Sequence, residues 1–179
     1  GRCLADLGAE VIKVEVPSGD LMRRLLVDFE KPRTFGTIFE TQNLGKSSIA
    51  LDLKTKDDVQ FLKELLKDAD ILITNTRRNS LVKLGLTFED LHREFPHLIY
   101  AHVSAWGVRG KDAGLPGYDI GAFWAGTGLA AMVNTPERFS TYPGAFGDMT
   151  TSQLILSSIQ MSLLERMRGG VGRKIELSL

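Results

Sequence analysis

The chain has 179 residues, with 22 Lys plus Arg against 22 Asp plus Glu and a formal net charge of zero. Hydrophobic residues make up 43% and charged residues 25%, the balance of a globular domain with a core of its own. Even, scattered charge argues against a general nucleic-acid or anionic-membrane binder, which needs a basic surplus. No apolar run approaches the roughly 20 residues of a membrane span. The single cysteine, Cys3, rules out a disulfide within the chain and fits a reducing compartment.

In chain order, Arg2 to Leu7 reads as the last turns of a helix stopped by Gly8. Val11 to Val16 is a short β-rich run ending at the turn cluster Pro17-Ser18-Gly19-Asp20. Leu21 to Lys46 is expected to be irregular, broken at Pro32 and Gly36, and Ser48 to Leu53 to be a strand. Thr55 and Asp58 form a capping-box start for a helix whose inner face carries Val59, Leu62, Leu65 and Leu66. Asp70 to Asn75 is a strand apolar enough to be buried on both faces. A short helix over Ser80–Leu84 follows, and Thr87 with Asp90 opens another that Pro96 ends.

Leu98 to Ala105 is a third buried strand, followed by a glycine-rich loop from Gly107 to Gly117. Small residues from Ile120 to Met132 predict one helix. Met149 to Met167 predicts a long one, with Ile155, Ile159, Leu163 and Met167 four apart. Gly169-Gly170 stops it before a last strand over Arg173–Leu179. This alternation predicts an α/β fold with a mainly parallel, Rossmann-like sheet and flanking helices. Gly1 in place of Met, and ends that look cut, lead to the expectation of a fragment of a longer protein.

The residues that bear chemistry are few. His92, His97 and His102 lie in no ligand-spaced cluster, so no metal site is expected and structural histidines are the simpler reading. Gly126-Thr127-Gly128-Leu129-Ala130-Ala131 matches a dinucleotide fingerprint as a string. It lies within or at the end of a helical segment, where that fingerprint must follow a strand, so close helix packing explains it better. Arg77, Arg78 and Lys83 follow a strand, where α/β sheets bind ligands. With Asn75 they could hold phosphate groups or could equally form a solvated basic loop. In Pro143-Gly144-Ala145-Phe146-Gly147-Asp148, an acid before a long helix is most simply its N-cap. The glycines let the carboxylate be approached closely, and a helix N-terminus there is expected to lower its pKa and keep it an ionised nucleophile.

Four strings together are specific: Ala5-Asp6-Leu7-Gly8-Ala9-Glu10-Val11-Ile12-Lys13-Val14-Glu15, Asn43 to Lys54, Gly117-Tyr118-Asp119-Ile120, and Gly147-Asp148 before a helix. In order and approximate spacing they resemble the family III CoA-transferases (the formyl-CoA and carnitine CoA-transferase group), which also includes the α-methylacyl-CoA racemases. The resemblance implies that Asp148 is a nucleophilic carboxylate that forms an aspartyl acyl anhydride with an acyl-CoA, with Tyr118 and Asp119 beside it in the catalytic set. It implies CoA contacts from Leu51, Asp52, Leu53 and Lys54, from Asn75, Thr76 and Arg77, and from Lys83. Arg77 falls where the carnitine enzymes have a phosphate-binding lysine, and Lys83 where arginine is usual, which changes the contact geometry. Val16 stands where some members have a CoA-binding arginine. Ala125 to Leu129 also departs from an Ala-Arg-Ser-Gly string common in relatives. Phe123, Trp124 and Met132 could line an acyl pocket or simply pack a core.

The substrates implied are an acyl-CoA and a carboxylic acid, with no permanently bound cofactor, no nucleic acid and no membrane. The resemblance further implies an interlocked homodimer, in which residues 1–179 form part of a large domain lacking its N-terminal strand and C-terminal part. The expected compartment is the cytoplasm, or the mitochondrion for a eukaryotic source. The racemases carry Gly-His-Asp-Ile where this chain has Tyr118. A tyrosine, with an ordinary pKa near 10, is a poor proton carrier at neutral pH, so transferase stands ahead of racemase. A non-catalytic CoA-binding relative, with Asp148 only a helix cap, is the remaining alternative.

Overall fold

The computed structural model describes residues 1–24, 36–138, 140 and 144–179; Pro32 and Pro143 lie outside the described residues. The chain divides into two compact units, residues 1–64 and 65–179.

In the first unit, α1 (Arg2–Asp6) leads to β1 (Val11–Glu15), a 3₁₀ turn (Leu21–Arg24), α2 (Thr37–Asn43) and β2 (Lys46–Ala50), and then to α3 (Lys56–Leu66), whose last two residues are counted with the second unit. The two strands pair in parallel, from Val11 opposite Lys46 to Glu15 opposite Ala50. β2 therefore begins two residues before the expected Ser48, and Leu51 leaves it buried with its N–H on the Glu15 carbonyl at 2.8 Å. Helix α2 was not legible. It has seven residues, no side-chain cap bond, and one buried residue, Phe39, over which the Arg23 guanidinium lies at 4.2 Å. At α3 the Asp58 N–H donates to Thr55 Oγ1 (3.2 Å) as expected. The Asp58 carboxylate, however, accepts from the Asp52 N–H (2.6 Å) instead of closing the box.

Glu15 organises this unit. Its side chain is buried at the end of β1, yet it accepts bonds from Arg23 Nε and Nη2 (both 2.7 Å), Ser48 Oγ (2.8 Å) and the Asp20 N–H (2.9 Å). The Arg23 hydrogen bonds outweigh the cost of burial and hold its pKa down at about 2.

The second unit is built on a parallel sheet of order β3-β4-β5, with β3 (Ile71–Thr74), β4 (Ile99–Ser104) and β5 (Lys174–Ser178). The parallel α/β character is as expected, but there are two sheets, one in each unit, where a single one was predicted. Central β4 is buried from Ile99 to His102. β3 is not covered on both faces, since Ile73 is 37% exposed; an apolar run does not by itself say how many faces are covered. α4 (Arg78–Leu84) starts two residues ahead of Ser80, and α5 (Phe88–Glu94) carries the complete capping box of Thr87 and Asp90.

The predicted single helix over 120–132 is instead two pieces. A π-helical turn (Ile120–Ala125) and α6 (Leu129–Val133) are separated at Gly126–Gly128, where Gly128 has φ +81°. α7 (Phe146–Met167) begins three residues before Met149. Ile155 and Ile159 are buried as expected, whereas Met167 is 83% exposed. A strict four-residue spacing drifts about 40° per step around a helix of 3.6 residues per turn, so the apolar row leaves the core face. The buried row keeps the four-residue spacing through Gly147, Thr151, Ile155 and Ile159 and then steps back by three to Ser162, which offsets the drift.

Candidate active site at the start of the long helix

The N-cap of α7 is Ala145, in the left-handed region at φ +60°, and its own side chain makes no cap bond. Such a conformation costs an alanine roughly 1 kcal/mol, strain that the packing of the following turn must offset. Asp148 is the third helical residue, so the expectation that it is the N-cap is corrected.

Its backbone N–H is one of the four that a helix start leaves unpaired, and Asp119 Oδ1 accepts it at 3.0 Å. The acid that satisfies this helix end thus comes from 29 residues earlier in the chain. Asp119 is 5% exposed, and its Oδ2 is buried without a hydrogen-bond partner among the described residues. The carboxylate of Asp148 itself remains on an exposed residue, available to a reactant.

Electrostatics follow from this arrangement. Desolvation first, and the Asp119 charge second, push the Asp148 pKa above its ordinary value of 3.8. The lowering anticipated from the helix N-terminus is therefore corrected, because desolvation and a like charge outweigh the dipole.

Gly147 is fixed by the same contacts. A Cβ there would lie 2.6 Å from Asp119 Oδ1 and would collide with the ring and Cβ of Phe123. Only glycine lets α7 approach the Asp119 turn closely enough for the N–H bond to form. Phe123, Trp124 and Phe146 pack as an aromatic cluster beside it, with centroids 5.7–6.0 Å apart. Met132, grouped with two of them from sequence, is 80% exposed, while Phe146 was overlooked because its partners are remote in sequence. Tyr118 precedes Asp119 and is 84% exposed. In the Gly-rich string close packing accounts for Gly126, where a Cβ would sit 2.8 Å from the Trp106 ring and against the Ala122 carbonyl, but not for Gly128, which has open space around it and a φ of +81°.

Of the residues expected to hold CoA, Leu51 to Lys54 belong to the first unit. Leu51 is buried, Lys54 is exposed, and Asp52 Oδ1 accepts the Lys54 N–H at 3.1 Å. Asn75, Thr76, Arg77 and Lys83 belong to the second unit and are all exposed. Arg77 is the residue before α4 and Lys83 lies in its last turn. Among the described residues no group of three or more His, Cys, Asp or Glu is placed to hold a metal ion. Among the same residues no helix is long and apolar enough to cross a membrane.

A parallel α/β scaffold that presents an aspartate on the first turn of a long helix is one on which acyl-transfer chemistry can be built. Residues 1–179 match CoA-transferase family III, also known as the CaiB/BaiF family, over their whole length, and the chain belongs to that family. It is 35% identical over 183 residues to the cinnamoyl-CoA:phenyllactate CoA-transferase of Clostridium sporogenes, covering 100% of this chain and 44% of that protein. It is 35% identical over 178 residues to the succinyl-CoA:glutarate CoA-transferase of Mus musculus, covering 98% and 40%. The crystal structure of Rv3272 from Mycobacterium tuberculosis superposes with a TM-score of 0.91 at 33% identity, over 99% of this chain and 49% of that one. The chain thus spans less than half the length of these relatives.

Proposed function

We propose that the protein containing this chain transfers CoA from an acyl-CoA donor to a carboxylic acid acceptor through a covalent intermediate on Asp148. The supporting observation is the state of that carboxylate: on the first turn of α7, free of any capping duty, and held above its ordinary pKa beside Asp119. A carboxylate destabilised in this way gains more by forming a bond than a well-hydrated one does. The Clostridium sporogenes and Mus musculus relatives have CoA-transferase names that pair a CoA thioester with a second acid, which agrees with this substrate class.

In the first step an Asp148 oxygen attacks the thioester carbonyl, and the C–S bond breaks to give an acyl aspartyl anhydride and CoA thiolate. The thiolate attacks the aspartyl carbonyl, forming an aspartyl–CoA thioester and releasing the donor's acid as carboxylate. The incoming acid attacks that thioester, regenerating an anhydride and thiolate. The thiolate then attacks the new acyl carbonyl, releasing the new acyl-CoA and Asp148 as carboxylate. Every step exchanges a carboxylate for a thiolate, so no net proton or electron is required and the thioester's energy is kept from water.

Asp119 holds the backbone of the nucleophile's turn, and Tyr118 borders the same site in place of the racemases' histidine. Leu51, Asp52, Leu53 and Lys54, with Asn75, Thr76, Arg77 and Lys83, contact CoA. Residues 1–179 form part of a large domain that works within an interlocked dimer. The test is a donor–acceptor screen on the full-length protein in deuterated water. Transfer with no deuterium at the acyl α-carbon is expected; wash-in without transfer would establish the racemase alternative.

A further inference from the structure

His102 reads from sequence as a structural histidine, yet its side-chain hydrogen bond among the described residues reaches the loop proposed to hold CoA. It lies on the central strand, opposite Thr74 on one side and Glu176 on the other, and is 5% exposed. Its Nε2 is 3.0 Å from the carbonyl oxygen of Thr76. A carbonyl only accepts, so Nε2 carries the hydrogen and donates it. On the other side of the same residue, the Thr76 N–H donates to Thr74 Oγ1 at 3.1 Å. Both peptide groups of Thr76 are therefore anchored, one to each of two neighbouring strands.

The Thr76 carbonyl shares a planar peptide unit with the Arg77 nitrogen. Fixing that carbonyl fixes the plane from which Arg77 departs, at the point where the chain enters α4. Asn75, Thr76 and Arg77 are exposed and follow a strand only four residues long; the Arg77 carbonyl is held by the N–H groups of Ser80 and Leu81 as α4 begins, which leaves the Thr76 peptide to orient the residues before it. We propose that His102 is a positioning residue for coenzyme A, holding the Asn75–Arg77 loop in its binding conformation through the Thr76 carbonyl. The inference rests on the reading that this loop contacts CoA. Without the bond, the loop must be ordered at the moment of binding and affinity falls, while the chemistry at Asp148 proceeds as before.

Binding of free coenzyme A to the full-length protein by titration calorimetry, with steady-state kinetics, tests this. Glutamine carries its amide nitrogen at the depth of Nε2, asparagine only at the depth of Nδ1. His102→Asn is expected to weaken CoA binding about five- to tenfold and raise the KM for acyl-CoA, with kcat within about twofold, the scale of one lost hydrogen bond. His102→Gln recovers most of the lost affinity. Thr74→Val, which removes the second anchor at nearly equal volume, raises the same KM and serves if the asparagine variant does not fold. Unchanged CoA affinity in His102→Asn, or equal weakening by Asn and Gln, would overturn the proposal in favour of plain packing. Arg77→Ala separates the two levels: if it leaves CoA affinity unchanged, the assignment of the loop to CoA fails, and the role of His102 fails with it.

Discussion

Glu15 in the first unit and Asp148 in the second are carboxylates of opposite character, each set by its surroundings. Glu15, buried in the first unit, meets a guanidinium, a hydroxyl and a backbone N–H, and its pKa falls to about 2. Asp148, in the second, meets desolvation and the charge of Asp119, and its pKa rises. The more buried acid is thus the more stable anion, because four donated bonds more than offset its desolvation. Burial alone does not make an acid reactive; lack of compensation does. Glu15 contributes to stability, whereas the charge on Asp148 detracts from it and leaves a carboxylate with something to gain by reacting.

Substitutions that erase one side of this contrast should have sharply different effects. The largest is expected for Asp148→Ala in the full-length protein, a loss of transfer of at least about a thousandfold. The milder Asp148→Asn should abolish transfer while holding or raising Tm at neutral pH. A raised folded pKa means that the group's stabilising share is present below 3.8 and lost as pH rises through the raised value, so removing the charge removes that cost.

Next in size is Arg23→Ala, which leaves Glu15 buried without its main partner. It should destabilise the protein clearly in denaturant titration, with little direct effect on the chemical step. In the native protein the Glu15 share of stability is fully present above 4.5 and disappears as pH falls from there through about 2. A Tm-versus-pH series should show that acid-side loss flattened in the Arg23 variant.

Gly147→Ala is expected to cost about 1–3 kcal/mol and to lower activity, because the new methyl must displace Phe123 and Asp119 from the turn that holds Asp148. Smallest is Asp119→Asn. Its side-chain oxygen can still accept the Asp148 N–H, so Tm should barely move, but the like charge is gone. The acid limb of the kcat/KM profile should then shift to lower pH, and an unmoved limb would show that Asp119 does not act on the nucleophile electrostatically.

Where order is local, the chain was readable. The Thr87–Asp90 box, the stop before Pro96 and the strand from Ile99 all follow from residues within a few positions of one another. So did the Gly147-Asp148 pair and the Tyr118-Asp119 string as candidates, although their roles came through the family resemblance. What escaped depends on distance. The helix end at Asp148 is satisfied by an acid 29 positions away, the Phe146 cluster joins residues across a loop, and the Thr76–His102 bond joins neighbouring strands 26 positions apart. Helix α2 escaped for another reason: seven residues with one buried side chain carry no periodic signal. The division into two parallel sheets was likewise invisible, since strand patterns do not say which strands pair.

The covalent role of Asp148 is open to a direct trap. The full-length protein is incubated with an acyl-CoA donor and hydroxylamine, then digested and mapped by mass spectrometry. Activated aspartate should be captured as a hydroxamate at Asp148, dependent on the donor and lost in Asp148→Asn. An unmodified Asp148 in protein that is turning over, or transfer retained by Asp148→Ala, would contradict the assignment outright.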